Sequence, residues 1–309
     1  MKTIPIVFAI DKNMEMPAGV AITSLLRNAA PESFYDIYIL HSIESDFSKS
    51  QLFDLLQLYS NCRITLKCVN GEFDGAFEIR GITEAAYYRL LIPELIPQYE
   101  KILYSDVDVI FRDDLSKYLD INLDNYYFGA VDHSHYLDKN SHKYMLKHGI
   151  DISNGYYNSG ELVFNSHQLR KDNLIPQFKQ HGLKKYRFQD QDIINIVCCG
   201  KIKPLPVSFN LTNYLYFSLV GQGDSICGYS DMDKNYALSK GTVHYNGAKP
   251  WKEVCMNMDI WWDYYRKSIF FDEKFAHDFW YGQTYRIEKM SLWKRIKQVA
   301  RYFRKGGRM

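Results

Sequence analysis

Two aspartates, Asp106 and Asp108, lie two residues apart about a third of the way along the chain, just after the apolar segment Lys101–Tyr104. Two carboxylates at the end of a strand can hold one hard divalent cation and leave most of its coordination positions open for a diphosphate. The alternative is a polar strand end with solvated aspartates, and the spacing favours the metal site. Asp113 and Asp114, a few residues later, are more typical of a helix cap.

Polar residues also follow the first apolar segment, at Ala9–Asn13. No Gly-x-Gly-x-x-Gly pattern occurs here, which disfavours a dinucleotide site of the usual kind. Asp11 and Asn13 offer a carboxylate and an amide that could recognise the edge of a nucleobase. Taken alone, however, the segment is better explained as a turn before a helix.

Two further polar segments occur in the C-terminal half. Phe188–Asp192 opens a helical pattern with acidic residues, which the dipole of a helix also favours in a first turn. His244–Trp251 follows a short apolar strand and carries an imidazole, a common metal ligand, together with a lysine on a glycine-containing loop that could close over phosphate. A lone histidine is more often structural, so each segment by itself leaves both interpretations open.

The elements that must position these residues alternate between apolar strands and amphipathic helices. Predicted strands are Ile4–Ile10, Tyr35–His41, Arg63–Val69, Lys101–Tyr104 and Phe128–Val131, and predicted helices are Ala18–Ala29, Phe47–Tyr59 and Thr83–Leu91. This alternation predicts an α/β fold with a mostly parallel, doubly wound sheet. Ligands of such sheets bind beyond the carboxyl ends of the strands, where the polar segments lie.

The composition excludes several classes of protein. The chain has 309 residues, of which 46% are hydrophobic and 24% charged, so global disorder is excluded. No apolar run approaches the ~20 residues of a membrane span, and the N-terminus lacks a cleavage site and indicates a first strand. Six cysteines without a Cys-x-x-Cys pair predict free, mostly buried thiols in a reducing compartment, hence a cytoplasmic location.

The C-terminal tail has its own charge and periodicity. Residues 286–309 contain nine basic residues and one acidic residue, whereas the rest of the chain has 29 basic and 35 acidic residues. One helical face collects the apolar residues Leu292, Trp293, Ile296, Val299, Ala300 and Phe303. A basic amphipathic helix of this kind predicts binding to an anionic membrane surface. The alternatives are a helix packed on the body or a nucleic-acid arm, and the acidic body argues against nucleic acid.

The polar segments, together with Ala85–Leu90 and Tyr157–Gly160, occur in an order that resembles the family 8 retaining glycosyltransferases, particularly bacterial lipopolysaccharide galactosyl- and glucosyltransferases. The resemblance spans about residues 4–265. It implies a single Rossmann-like domain of the GT-A type over residues 1–265 and a basic helical extension over residues 266–309. It also implies a UDP-hexose donor, a glycan or lipid-linked saccharide acceptor, and Mn²⁺ as cofactor, with Mg²⁺ as a substitute. The expected location is the inner face of the cell membrane, with peripheral attachment.

The resemblance also assigns roles to residues. The expected metal ligands are Asp106, Asp108 and His244, and the expected catalytic pair is Asp190 and Gln191. The expected donor-binding residues are Ala9, Asp11, Asn13, Arg89, Asp106, Val107, Asp108, Asp132, Asn158, Ser159, Gly160, Gly247 and Lys249.

Three positions qualify that assignment. Met14 stands where the family often has an aromatic residue, which leaves hydrogen bonding but not ring stacking for uracil. Asp132 matches a sugar-proximal acid only if one residue is deleted from the alignment. Gln191 is a poor nucleophile because its amide oxygen carries no formal charge, which favours front-face substitution over a covalent intermediate.

Two other functions compete with this interpretation. A haloacid-dehalogenase-type phosphatase also places an Asp-x-Asp motif after a strand, and Val109 is tolerated there, but its motif usually lies near the N-terminus. A non-catalytic nucleotide-sugar-binding protein would be expected to lack a metal ligand or the Asp-Gln pair, and both are present.

Overall fold

The computed structural model describes residues 1–73, 75–78, 84–220 and 229–304. The strands are β1 Lys2–Ala9, β2 Ser33–Ser42, β3 Cys62–Val69, β4 Lys101–Ser105, β5 Val109–Ile110, β6 Phe128–Ala130, β7 Glu161–Asn165, β8 Ile202–Pro204, β9 Leu211–Thr212 and β10 Val243–His244. The helices are α1 Glu15–Arg27, α2 Leu55–Leu58, α3 Ala85–Tyr88, α4 Ile92–Leu95, α5 Ser116–Leu119, α6 Lys139–Lys147, α7 Ser166–Lys171, α8 Ile175–Gly182, α9 Gln189–Val197, α10 Asn213–Val220, α11 Asp231–Lys240, α12 Met258–Lys267, α13 Glu273–Glu288 and α14 Leu292–Arg304.

Seven strands form a central sheet in the order β3-β2-β1-β4-β7-β6-β8. Neighbours are parallel except at β7, which runs antiparallel to both β4 and β6. The α/β fold with a mostly parallel sheet is therefore confirmed. Strands β1 and β2 are buried along most of their length, because helices cover both faces of the sheet, and their sequences are accordingly apolar without alternation.

Several predicted boundaries differ from the structure. The predicted helix Phe47–Tyr59 is wrong at its start: a 3₁₀ turn begins at Gln51 and leads into α2. Ser50 explains the difference, since its hydroxyl accepts a hydrogen bond from the Leu52 amide and caps the turn there. The helix predicted over Thr83–Leu91 divides into α3 and a 3₁₀ turn, and Thr83 lies outside the described residues.

The C-terminal helices α12 and α13 pack on the body through aromatic side chains. Trp262 of α12 is buried, and its ring centroid lies 4.8 Å from that of Phe279 on α13. Phe270, between the two helices, covers α1 at Gly19, where a Cβ would lie 2.0 Å from the Phe270 ring. This packing carries the apolar core past residue 265.

Helix α14 differs because the apolar residues of its described part, up to Val299, are exposed. Leu292 and Trp293 are 71% and 74% exposed, and Ile296 and Val299 are also exposed. Among the described residues, none of the helices is long and apolar enough to cross a membrane. The thiols are less buried than predicted: Cys62 and Cys198 are buried, Cys68 and Cys199 are exposed, Cys255 is intermediate, and Cys227 lies outside the described residues.

Candidate active site

A second, three-stranded sheet brings His244 to the Asp106–Asp108 segment. Strand β10 pairs antiparallel with β5, which places His244 opposite Val109, and the Tyr245 amide donates to the Asp108 carbonyl over 2.8 Å. The His244 Nε2 atom lies 3.5 Å from Asp108 Oδ1 and 3.9 Å from Asp106 Oδ2. Ligand atoms of these three residues all lie within 4.8 Å of one another. The predicted metal ligands thus converge, although 136 positions of sequence separate Asp108 from His244.

The chemistry of these three side chains fits a divalent cation. Two carboxylates supply hard oxygen ligands, and an imidazole suits Mn²⁺ better than Mg²⁺, which prefers an all-oxygen shell. Burial raises the pKa of Asp108, but the neighbouring Lys249 ammonium and His244 imidazole outweigh burial and hold this pKa below its ordinary value. Lys249 forms an ion pair with Asp108, so Asp108 remains a carboxylate at neutral pH.

Gly160 lies against this metal-ligand cluster and has no room for a side chain. Its carbonyl accepts a hydrogen bond of 2.7 Å from the Asp106 amide. A Cβ at this position would lie 2.3 Å from His244 Cε1 and 2.9 Å from Asp106 Oδ2. Only glycine therefore lets β7 approach the cluster, which is the physical reason for a glycine at this position.

Arg89 links the metal-ligand cluster to the predicted catalytic pair. The Arg89 side chain is buried, lies over the Tyr104 ring, and donates to Asp106 Oδ1 over 2.8 Å and to the Ser159 carbonyl over 2.6 Å. Its Nε atom lies 3.3 Å from Asp190 Oδ2. Burial raises the pKa of Asp190 to about 6, although Arg89 and a hydrogen bond from Ser159 oppose the increase.

Gln191 is held by two donors from the segment that precedes β7. Its side-chain oxygen accepts from Asn158 Nδ2 over 2.9 Å and from the Ser159 amide over 3.3 Å. Gln191 is the third residue of α9, whose buried face anchors the helix against the sheet. The structure therefore brings Asn158, Ser159, Gly160, Asp190 and Gln191 together with Arg89 and the metal-ligand cluster.

The predicted nucleobase residues lie at the same edge of the sheet. Strands β1 and β4 are parallel with Val7 opposite Tyr104, so Ala9 and Asp106 each lie two residues farther along adjacent strands. Asp11 caps the following 3₁₀ turn through a 2.8 Å bond from the Asn13 amide. The turn expected as the simpler explanation is present, and Asn13 remains exposed.

Three residues that were predicted to bind the sugar donor have surroundings that differ from those of the metal-ligand cluster. Asp132 accepts hydrogen bonds from the Ser134 and Tyr156 amides, which makes it the organiser of a local turn. The Val107 side chain is buried in the core, which leaves its main chain for any donor contact. Gly247 is exposed on the Lys249 loop.

Two residues near the cluster escaped the sequence analysis. Asn210 is fully buried and contacts His244 through its side chain, but nothing in its local sequence distinguishes it. Glu161 is buried at the start of β7, and burial, followed by the charges of Asp106 and Asp108, raises the pKa of Glu161 well above its ordinary value. The sequence feature that could have identified Glu161 is its charge at the start of the apolar strand Glu161–Asn165.

Comparison with known proteins agrees with this arrangement. The sequence profile described as "Glycosyl transferase family 8" matches residues 5–255, and the chain belongs to this family. The lipopolysaccharide glucosyltransferase WaaO of Escherichia coli strain K12 is 24% identical over 88% of this chain and 77% of its own length. A protein of Haemophilus influenzae named as a glycosyltransferase is 28% identical over 68% of this chain, which spans 64% of that relative's length.

Solved structures show the same fold. LgtC, a galactosyltransferase crystallised with donor and acceptor sugar analogues, has a TM-score of 0.69, with 25% identity over 89% of this chain and 99% of LgtC. The bifunctional glycosyltransferase WbbM has a TM-score of 0.70 with 24% identity, and the match covers 90% of this chain and 52% of WbbM. The chain therefore belongs to a glycosyltransferase family and has the GT-A fold, which disfavours the phosphatase alternative.

Proposed function

We propose that this glycosyltransferase transfers galactose or glucose from a UDP-sugar, with retention, to a hydroxyl of a lipopolysaccharide, lipooligosaccharide or related glycan. The observation that carries the proposal is the convergence of Asp106, Asp108 and His244 beside Asp190 and Gln191. Relatives named as a lipopolysaccharide glucosyltransferase and a lipopolysaccharide 1,3-galactosyltransferase, the latter 24% identical over 80% of this chain, support the substrate class.

The donor would lie along the carboxyl edge of β1 and β4. Ala9, Asp11 and Asn13 would bind uracil, with hydrogen bonds to its polar edge. Gly247 would let the main chain approach the diphosphate. Lys249, whose ammonium lies beside Asp108, would contact the oxygens of the diphosphate. Val107 would contribute through its main chain.

The sugar would lie between the metal-ligand cluster and α9. Arg89, held by Asp106 and Asp190, would contact both the sugar and the adjacent phosphate. Asn158, Ser159 and Gly160 would line the pocket wall, while Asp190 would accept hydrogen bonds from sugar hydroxyls. Asp132 would approach the sugar from the turn that it organises.

We assign Mn²⁺ to Asp106, Asp108 and His244, with Mg²⁺ as a weaker substitute. Bound there, the ion supplies Lewis-acid stabilisation to the departing diphosphate. The protein contributes a preformed arrangement, since Arg89 and Tyr104 both donate to Asp106 Oδ1 over 2.8 Å and leave Oδ2 facing His244. Little side-chain rearrangement would accompany the reaction, as electrostatic catalysis requires.

We propose front-face substitution as the mechanism. The anomeric carbon loses its bond to the UDP oxygen and gains a bond to the acceptor oxygen on the same side, and the acceptor proton passes to the leaving phosphate. Gln191 would stabilise the developing positive charge on the sugar with its amide oxygen. Two hydrogen bonds already engage this oxygen, which fixes its position and makes it a poor nucleophile. Mass-spectrometric detection of a sugar attached to Asp190 in the wild-type enzyme would overturn this mechanism.

A donor screen tests the proposed function. Purified protein is incubated with Mn²⁺ and a panel of nucleotide sugars, and release of free nucleotide is measured. We expect turnover with UDP-galactose or UDP-glucose, loss of turnover in Asp108→Ala, and no loss in Asp120→Ala. Asp120 is a matched control because it is an exposed aspartate paired with Lys2, at the opposite end of β1.

Other outcomes of this screen would contradict the assignment. Binding of a UDP-sugar without release of nucleotide in the presence of any glycan acceptor would favour the non-catalytic alternative. A phosphorylated Asp106 after incubation with a phosphate ester would restore the phosphatase.

We also propose that residues 266–309 form an extension that attaches the enzyme to the inner, cytoplasmic face of the cell membrane. The exposed apolar side of α14 and the nine basic residues of 286–309 support this proposal. Such a position would bring the active site close to a lipid-linked acceptor. Because α12 and α13 pack together, we expect α14 to be the part that contacts lipid.

A further inference from the structure

A continuous line of buried side-chain amides connects His244 with Gln191. His244 Nδ1 lies 2.9 Å from Asn210 Oδ1, and Asn210 Nδ2 donates to Asn158 Oδ1 over 2.8 Å. Asn158 Nδ2 donates to Gln191 Oε1 over 2.9 Å. Asn210 is fully buried and Asn158 is 8% exposed, so water does not compete for these bonds.

Two main-chain amides fix the direction of every bond in this line. The Ser159 N–H can only donate, so the Gln191 atom that it contacts must be the oxygen. The Asn158 atom facing that oxygen must therefore be its NH₂ group. Independently, the Gly160 N–H donates to the other atom of the Asn158 amide over 3.0 Å, which must be the oxygen.

The same reasoning determines which nitrogen of the His244 ring carries the proton. Because Asn158 presents an oxygen, Asn210 must turn its NH₂ group toward Asn158 and its oxygen toward His244. An oxygen there can only accept, so the His244 proton must be on Nδ1. In the neutral ring, Nε2 then keeps its lone pair, and Nε2 is the atom that faces Asp106 and Asp108. The geometry therefore selects the tautomer that can bind a cation.

We infer that Asn210 is a positioning residue that holds His244 in its metal-binding tautomer and couples this ligand to Gln191 through Asn158. The inference rests on the proposed function in one respect, namely that the cluster binds a divalent cation. The inference adds that one line of hydrogen bonds, through Asn210 and Asn158, holds both the metal ligand His244 and the predicted catalytic residue Gln191. Displacement of either residue is therefore transmitted to the other.

Two substitutions of Asn210 distinguish its effect on His244 from its effect on Gln191. Asn210→Leu removes the acceptor for His244, and loss of such an outer-shell partner weakens metal binding by about 10–100-fold. Asn210→Asp keeps an acceptor for Nδ1 but turns a second oxygen toward Asn158 Oδ1. We expect it to bind Mn²⁺ with affinity at least equal to that of the wild type, while kcat falls by about tenfold or more because the bond to Gln191 is disturbed.

The measurements are Mn²⁺ titration by electron paramagnetic resonance and nitrogen NMR of histidine-labelled, metal-free protein at a pH where the ring is neutral. His244→Gln identifies the His244 signals. We expect a protonated Nδ1 in the wild type and loss of this fixed tautomer in Asn210→Leu. Asn165→Leu is the control, since Asn165 donates to the Leu123 and Tyr126 carbonyls at the other end of β7.

The outcomes distinguish the inference from the proposed function. A wild-type protein that binds no Mn²⁺ would contradict the proposed function, and the NMR measurement would still judge the role of Asn210. A proton on Nε2, or wild-type Mn²⁺ affinity in folded Asn210→Leu, would refute the inference. If Asn210→Leu fails to fold, the wild-type tautomer and the Asn210→Asp variant decide the question.

Discussion

The metal-ligand cluster and helix α14 are held in opposite ways. In the cluster, buried and half-buried side chains from β4, the β4–β5 turn, β10 and the segment before β7 fix one another through hydrogen bonds. In α14, Leu292, Trp293, Ile296 and Val299 are exposed and share a face only through helical periodicity. Single substitutions should therefore be severe in the cluster, whereas in α14 their effects should be small and additive.

The largest effect is expected at Gly160, where the cluster has no spare volume. In Gly160→Ala, the new Cβ would meet His244 and Asp106, neither of which can move without breaking its hydrogen bonds. Misplacement of reacting groups by about 1 Å can cost about 100-fold in rate. We expect kcat/KM and Mn²⁺ affinity to fall together, by about 100-fold for kcat/KM, in a nucleotide-release assay and a metal titration.

Gly282→Ala is the matched control for this substitution. Gly282 lies in α13, and a Cβ there would have nothing within 4 Å. The alanine should leave kcat/KM unchanged and stabilise the helix by about 1 kcal/mol. Equal loss of activity in the two variants would contradict the contrast between the crowded cluster and the open space around Gly282.

A second large effect should appear as a change in pH dependence. The pKa of Asp190 is raised to about 6, mainly by burial, with Arg89 opposing the increase. If the ionised carboxylate binds the sugar hydroxyls, kcat/KM should fall about tenfold per pH unit below this value. In Asp190→Asn, kcat/KM at pH 7 should be about 100-fold lower than in the wild type. The fall in kcat/KM at acid pH, the acid limb of the profile, should be absent in this variant. An unchanged limb in the variant would assign it to another group.

Glu161 allows a test of stability without removing a predicted substrate contact. Its raised pKa means that the folded protein keeps a proton there that the unfolded chain loses above the ordinary glutamate pKa. The contribution of Glu161 to the free energy of unfolding should therefore fall by about 1.4 kcal/mol per pH unit as pH rises from that value toward the folded pKa. Glu161→Gln lacks this contribution and should gain stability over the wild type as pH increases from 5 to 7.

Urea unfolding at several pH values measures the Glu161 effect. Other carboxylates contribute equally to both proteins, so the difference between the two curves isolates this side chain. Parallel curves for the wild type and Glu161→Gln would show that Glu161 is ionised in the folded state.

The smallest effect on catalysis is expected in the tail. Deletion of residues 286–309 should move the protein from the membrane fraction to the soluble fraction, with hydrolysis of the UDP-sugar retained. Trp293→Ser should weaken binding to anionic vesicles only in part, because Trp293 is one of several exposed apolar residues. Sedimentation with vesicles measures both effects, and unchanged sedimentation of the deletion variant would count against membrane attachment.

The sequence was sufficient where local periodicity or motif spacing determines the structure. The strands β1 to β4, helix α1 and helix α14 were all predicted within a few residues, because apolar runs in strands and apolar residues at helical spacing both leave a clear pattern in the sequence. Asp106 and Asp108 were identifiable from their spacing alone. His244 needed the family resemblance, since its approach depends on the pairing of β10 with β5, which no local pattern encodes.

Asn210 and Glu161 could not be predicted in the same way. Asn210 acquires its role from two partners that are distant in sequence, His244 and Asn158, and an isolated asparagine resembles any turn residue. Strand β7 was not predicted either, and its antiparallel pairing with β4 and β6 depends on contacts between segments that are distant in sequence. Contacts between residues that are distant in sequence therefore determine both the role of Asn210 and the pairing of β7.

The pairing of β9 with β10 has a consequence for how this architecture can be altered. These two-residue strands are parallel, with Thr212 opposite His244, so the chain leaves the small sheet after Thr212 and re-enters it at Val243. Both attachment points are fixed by the sheet. An insertion between them could therefore lengthen this connection while His244 stays in register, provided that the buried side chains of Leu215 and Ala237 keep their places in the core.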